Sequence, residues 1–454
     1  MAMGKRRKHG QQPLFVAAAD LPRTVAHPFY QKLNEVLAGW KFDELVENLC
    51  AKFYAPTLGR PSLAPGKYFR LLLVGYFEGI DSERGIAWRC ADSLSLRSFV
   101  GYAINERSTD HSTISRTRRL IDIETHQEVF QWVLKVLADY DLLSGKTVGL
   151  DATTLEANAA MRSIVRKDTR QNYQEFLTDL AKASGIETPT REDLKRIDKD
   201  RKNTASNDDW ENPHDPDAKI TKMKDGSTHL AHKQEHAVDM DSGAVLAVTI
   251  QPADQGDTTT WRQTVEETYQ NLNAVKEDER VADRVHPNPV EEMVADKGYH
   301  SNETMTDFVE LEIRSYVSEP DRDNRDWEDK HAERDAVYAN RRRIRGERGK
   351  RLLRKRGELI ERSFAHVLET GGMRRVHLRG RINVLKRMLL QVGGFNLSLV
   401  MRKLIGRGTP RGLQGLFSGV FSSLVMLWAI VSSVWRHAAG CGRENRSRAA
   451  CPAS

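Results

Sequence analysis

Apolar positions recur at helical spacing from the start of the chain. Leu33, Val36, Leu37 and Trp40 make one stripe, and Phe42, Leu45, Val46, Leu49 and Phe53 make a second. Gly59-Arg60-Pro61-Ser62 breaks the pattern, and Ser62 is placed to cap a third helix carrying Tyr68, Leu71, Leu72 and Tyr76. Shorter helices are predicted around residues 85–91 and 96–102. Asp110 then caps a basic helix, His111-Ser112-Thr113-Ile114-Ser115-Arg116-Thr117-Arg118-Arg119, and Val129, Phe130, Val133, Val136 and Leu137 mark another.

The period then changes. Residues 146–151 read as a short buried strand that ends at Asp151. Strands at 236–240 and 244–250, joined by Asp241-Ser242-Gly243, read as a hairpin. A helix with Trp261, Val265, Thr268 and Leu272 follows, then a strand at 292–295 ending at Asp296. Ser301 caps the next helix, residues 314–317 form a fifth strand, and a long basic helix runs around 352–368. That order describes an α/β fold, a mixed five-stranded sheet flanked by helices. Residues 161–227 read as a charged insertion, with 203–216 an exposed loop rich in Asn, Asp and Pro. The expected organisation is a basic flexible tail (1–24) and an N-terminal all-helical domain (25–143). A catalytic core (144–160 and 228–390) and a C-terminal helical, apolar extension (391–454) complete it.

Residues 413–435 carry no charge, a length that could cross a bilayer. Leu413, Phe417, Val420, Leu424, Leu427, Val431 and Val434 alternate spacings of four and three, however, which is the seam of a helix packing on one partner. A membrane partner is therefore not expected. The four cysteines (Cys50, Cys90, Cys441, Cys451) form no C-x-x-C pair, so neither a zinc knuckle nor a disulfide framework is signalled and a cytoplasmic chain is expected.

Charge adds a partner. The net charge is +7, and between 341 and 362 there are 11 basic and 3 acidic residues, whereas 321–335 holds 4 basic and 7 acidic ones. The basic run, Arg341, Arg342, Arg343, Arg354 and Arg356 among it, suits the phosphates of DNA. Several short helices ending in a capped one with Ser, Thr and Arg suit a recognition helix in a major groove, with Arg116, Arg118 and Arg119 as contacts. Trp327 is a candidate to stack on a splayed base.

Three acids could meet through the fold: Asp151, Asp296, and Glu361 on the last basic helix, with Glu358 one turn earlier as the rival third acid. Three hard oxygen ligands with no His or Cys cluster suit Mg²⁺ or Mn²⁺ rather than zinc. Two such ions per site could stabilise both the attacking and the leaving oxygen of an in-line phosphoryl displacement.

Val148-Gly149-Leu150-Asp151-Ala152-Thr153-Thr154, Val294-Ala295-Asp296-Lys297-Gly298-Tyr299 and Glu358-Leu359-Ile360-Glu361-Arg362-Ser363-Phe364 resemble the three acidic motifs of bacterial insertion-sequence DDE transposases. Residues 59–119 also resemble the helical domain that precedes the core in that family, so the likeness spans about 28–404. It implies an RNase H-like core, metal-dependent cleavage at transposon ends, and strand transfer by the freed 3′-hydroxyl. Asp151 would bridge the metals, with Asp296 and Glu361 completing the two sites. Implied partners are the terminal inverted repeats, target DNA and a homodimer or higher homo-oligomer, and the implied location is the nucleoid. Related transposases carry Tyr-x-x-Arg-x-x-x-Glu-x-x-x-x-x-x-Lys around the third acid. Here Arg354, Gly357 and Leu368 stand in the Tyr, Arg and Lys positions, leaving Arg356, Arg362, Arg374 or Arg375 for the phosphate contacts. A hydrolytic RNase H-like nuclease and a catalytically decayed DNA-binding protein are the alternatives.

Overall fold

The computed structural model describes residues 27–55, 62–201, 205–223, 226–321 and 325–413. Its first part is helical: α1 (Pro28–Gly39), α2 (Phe42–Cys50), α3 (Pro65–Glu78), α4 (Glu83–Ala91), α5 (Leu94–Val100), α6 (His111–Leu120) and α7 (Ile123–Asp139). Asp110 caps α6 as expected, its side chain accepting from Ser112 N. Ser62 does not cap α3. That helix starts at Pro65, whose fixed φ and missing N–H suit a first turn, and its N-cap Ala64 has no side chain to offer. Every residue of α3 from Tyr68 to Phe77 is buried, Arg70 included. Asp43 takes two hydrogen bonds from that guanidinium, at 3.0 and 2.7 Å, and Phe99 O accepts a third at 2.9 Å.

β1 (Thr147–Glu156) follows. The insertion then holds β2 (Val165–Arg166), α8 (Tyr173–Ala183), α9 (Arg191–Asp200), β3 (Trp210–Glu211) and β4 (Lys219–Lys222). The stretch expected to be an exposed loop instead carries β3, with Trp210 buried between Tyr173 and Phe176 and with Asn212 and Asp215 fully covered. An aromatic of that size supplies a small core, which polar composition alone conceals.

The chain returns through β5 (Thr228–Asp239), β6 (Val245–Pro252), α10 (Asp257–Lys276), β7 (Glu292–Ala295), α11 (Asn302–Glu310) and β8 (Arg314–Val317). The last helices are α12 (His331–Arg345), α13 (Glu347–Phe364) and α14 (Arg381–Ile405). β1 lies at the centre, antiparallel to β5 and parallel to β7; β8 lies outside β7, and β6 and β4 pair with β5. The five expected strands are present, and β4 is an added sixth. β1 and β5 are longer than their apolar runs because they pair continuously from Val148↔Asp239 to Glu156↔Ala231. The threonines after Asp151 suit a pleated strand despite their polarity.

Two asparagines close the sheet's edges. Asn340 of α12 accepts from Val317 N at 2.9 Å and donates to Val317 O at 2.8 Å on β8. Asn396 of α14 does the same for Val245 on β6, at 2.9 and 2.8 Å. Each amide stands in for one residue of a missing neighbour strand, satisfying edge groups that would otherwise lie buried and unpaired.

α14 runs unbroken across the boundary expected at 390/391 and packs against α7, α3 and β6. The helical region and the sheet therefore share one hydrophobic core. Of the apolar seam expected from Leu413 onward, only Leu413 is among the described residues, where it packs on this core; the rest, like the basic tail, lies outside them. Among the described residues no helix is long and apolar enough to cross a membrane.

Candidate active site

Asp151 sits in the middle of β1, not at its end. Paired positions place its side chain with His236 on the face covered by α13, while its neighbour Ala152 pairs with Glu235, which turns toward α10. Gly149 lies under α13: a Cβ there would stand 2.8 Å from Met240 Sδ and 3.0 Å from Ile360 Cδ1, so those side chains would have to give way. Asp151 Oδ1 accepts from Ala152 N at 2.8 Å, and Oδ2 lies 3.1 Å from Arg356 Nη1, which also donates to Leu150 O at 3.2 Å. Burial pushes the Asp151 carboxyl up, Arg356 pulls it back, and the negative charge of Asp296 adds to the rise.

That last influence marks the two acids as neighbours. Gly149 pairs with Val294 across the parallel β1–β7 ladder, and Asp151 and Asp296 each lie two residues further on. Asp296 closes β7 as expected and caps the 3-10 turn Lys297–Tyr299, Gly298 N donating to its Oδ1 at 2.7 Å.

Glu361 is on α13, exposed, and makes no ion pair with another described residue. Four residues of the helix place it. Arg356 touches Asp151, Ile360 covers Gly149, Ser363 lies 3.0 Å from His236 Nδ1, and Phe364 stacks on the His236 ring at 4.2 Å. Glu361 thus lies at the solvent edge of the face that α13 turns toward Asp151 and its strand partner. The rival Glu358 accepts a hydrogen bond from Arg362 at 2.6 Å. Among the described residues no three His, Cys, Asp or Glu side chains are gathered closely enough to hold a metal ion. The structure brings Asp151 and Asp296 together and leaves Glu361 on the adjoining helix. The donor set still fits a hard divalent cation: two neighbouring carboxylates, one already drawing a guanidinium against its charge.

The expected DNA-contacting arginines divide. Arg116, Arg119, Arg342 and Arg354 are exposed. Arg118 is only 6% exposed and ion-paired with Glu83, so it is a core residue and not a DNA contact. Arg341 is held by Glu319 at 2.8 and 2.7 Å, and Arg343 donates to Ser315 O and Oγ, both at 2.8 Å. Arg362, Arg374 and Arg375 face solvent beside Glu358, Glu369 and Glu156 respectively. Trp327 is half-buried against Arg325 and Tyr338.

Three residues were missed in the sequence, Lys233, Glu235 and Asp257, whereas Tyr299 stood out there as a residue after the second acid that lines the site, with no role assigned. Tyr299 donates to Glu235 Oε1 at 2.7 Å, Thr264 donates to Oε2, and Lys233 Nζ lies 2.6 Å from Asp257 Oδ1. Burial pushes the Glu235 carboxyl up, while its hydroxyl donors hold it back. A signal existed, since Lys233-Gln234-Glu235-His236 is a polar run entering the hairpin, with Gly256-Asp257 opening the next helix.

Two families match this chain. One, described as a transposase domain (DUF772), matches residues 20–120, and the other, a transposase DDE domain, matches 207–397. The chain belongs to the insertion-sequence DDE transposases. The core of this transposase is RNase H-like, and the helical region before it corresponds to the first match. The DDE match contains Asp296 and Glu361 but begins after Asp151, which rests on its place in β1. No curated protein and no solved structure matches the chain.

Proposed function

We propose that this transposase cuts DNA at the ends of its own element and joins the freed 3′-hydroxyls to target DNA, by a cut-and-paste route that needs Mg²⁺ or Mn²⁺. The observation that carries this reading is the adjacency of Asp151 and Asp296 on neighbouring parallel strands, under a basic helix that bears Glu361. Asp151 and Asp296 would hold the cations and Glu361 would complete the set. A bound cation supplies Lewis-acid polarisation of the scissile phosphate and lowers the pKa of the attacking water or 3′-hydroxyl.

The protein's own groups do the rest. Arg356 holds its guanidinium against Asp151, a position from which it could also donate to a phosphate oxygen. Arg342 and Arg354 extend a basic surface along α12 and α13 that suits the DNA backbone. On the helical region, Ser112, Arg116 and Arg119 present one exposed face of α6 to the end sequence. Joining two ends in one event calls for a homodimer or larger assembly, acting in the cytoplasm at the nucleoid.

The test uses the full chain with DNA carrying the ends of its element. Asp151→Asn and Asp296→Asn should each lower metal-dependent cleavage at least ~1,000-fold while leaving DNA affinity within about threefold, because only transition-state charge stabilisation is lost. Pre-cut ends should yield joined product with the parent protein. Cleavage without any joining would replace the transposase reading by a hydrolytic nuclease, and full activity of either variant would remove the site assignment.

A further inference from the structure

The α10 face of β5 carries charged side chains that the chemistry above does not use. Lys233 and Glu235 are 7% and 0% exposed. A buried ion is costly, and an apolar residue of similar volume would serve packing as well or better, so such groups point to a role beyond stability. Their partners converge on one short turn. Tyr299, the last residue of the turn Lys297–Tyr299, is fully buried and its hydroxyl donates a hydrogen bond to Glu235 Oε1 at 2.7 Å. Gly298, in the middle of the turn, has Asp257 against one side: a Cβ there would collide with Asp257 Oδ2 and come within 3.0 Å of Asp296 Oδ1. Asp257 is in turn held by Lys233 at 2.6 Å, and Lys233 donates to Thr260 Oγ1 at 2.8 Å.

We propose that Glu235 and the Lys233–Asp257 pair are positioning residues for Asp296, fixing from beneath the sheet the turn that carries it. The inference rests on Asp296 being a metal ligand, as proposed above. Asp296 Oδ1 is oriented by Gly298 N at 2.7 Å, so any shift of the turn moves the carboxylate. Two clamps, linked through the Thr260 hydroxyl, act on the two residues after Lys297, one through the Tyr299 hydroxyl and one through contact with Gly298. Both reach the turn from β5, directly or through α10. β5 is also the strand paired with Asp151, through Asp151↔His236 and Ala152↔Glu235. One strand thereby sets the height of both acids. Glycine is required at 298 for the close approach of Asp257, whereas its φ carries no constraint.

Outer partners of a metal ligand change affinity by about 10- to 100-fold when removed. Tyr299→Phe keeps the ring in its pocket and leaves Glu235 its Thr260 and Thr264 donors. It should weaken Mn²⁺ binding to the DNA-free protein, followed by the loss of free-ion signal in electron paramagnetic resonance, by about tenfold or more. Cleavage kcat should fall similarly, with KM for DNA unchanged. Gly298→Ala should reproduce this by displacing the turn, and serves if Tyr299→Phe does not fold. Glu235→Gln, which retains an acceptor for Tyr299, should bind Mn²⁺ closer to the parent protein than Tyr299→Phe does. Parental Mn²⁺ affinity and kcat in Tyr299→Phe or Gly298→Ala would overturn the proposal, and so would a lowered melting temperature with parental Mn²⁺ affinity. Asp296→Asn separates the two levels. If it keeps metal-dependent cleavage, the site assignment fails; if it is inactive while Tyr299→Phe behaves as the parent, only the positioning role fails.

Discussion

Arg116, Arg118 and Arg119 share one short helix, yet they face different surroundings. Arg116 and Arg119 are exposed, whereas Arg118 is buried against Glu83, whose side chain is only 16% exposed. The difference follows from helical period: Arg118 lies four residues after Ile114, which is 0% exposed, so both belong to the inward face. That signal was available in the sequence, but three basic residues in four invite a single role. Arg116→Ala and Arg119→Ala should each reduce the slope of log affinity against log salt by about 1 with an unchanged melting temperature. Arg118→Ala should instead lower unfolding free energy by roughly 2 kcal/mol, since it strands a half-buried carboxylate. Denaturant unfolding beside salt-dependent DNA titrations distinguishes them. Loss of affinity by Arg118→Ala at parental stability would return that residue to the DNA surface. At the proposed centre Asp151 and Asp296 were legible from their motifs, but Glu235 and Asp257 were not. Their partners Thr264, Tyr299 and Gly298 lie 29 to 64 residues away from them in the sequence, and only the fold joins them.

At the scale of elements, β7 and β8 matched their expected bounds to the residue because both are short and, Arg314 apart, buried along their length. β1 and β5 did not, since their outer halves are polar and persist through mutual pairing and through threonines supplied by α10. The start of α3 shifted from the expected cap because proline, not a side-chain oxygen, sets it. Asn340 and Asn396 show how completely an edge strand can depend on one distant side chain. Asn340→Ala leaves the Val317 N–H and C=O without partners in a buried setting, which should cost about 3 kcal/mol. Asn340→Asp keeps the acceptor for Val317 N but sets a buried carboxylate oxygen against Val317 O, so in urea unfolding it should cost at least as much as Asn340→Ala. A loss below about 0.5 kcal/mol for Asn340→Ala would mean that β8 finds other partners. The parallel experiment at Asn396 tests whether β6 depends on α14 in the same way.

Across the whole molecule, α14 decides whether the helical region and the catalytic sheet are two units or one. Lys386 donates to Ile121 O at 2.7 Å and to Arg118 O at 3.3 Å, closing the end of α6. Arg387 donates to Ile80 O at 3.1 Å, and two turns further on Asn396 grips β6. Between them Gly394 lies against Tyr76 of α3, where a Cβ would stand 2.7 Å from the ring. Neighbouring apolar residues of α14, from Val384 to Met401, bury themselves in both regions at once. Domain boundaries drawn from composition could not show this, because a helix apolar on all sides reads alike whether it ends one core or joins two. A shared core predicts one cooperative transition. Gly394→Ala forces α14 and α3 apart by a few tenths of an ångström or more, an overpacking that should cost about 1–3 kcal/mol. Calorimetry and tryptophan fluorescence should then report the same single, lowered melting temperature, with no part of the enthalpy left at the parental one. Two transitions, of which only one moves, would show instead that the helical region and the sheet unfold independently. In that case α14 would couple them too weakly for recognition of an end by α6 to be felt at Asp151.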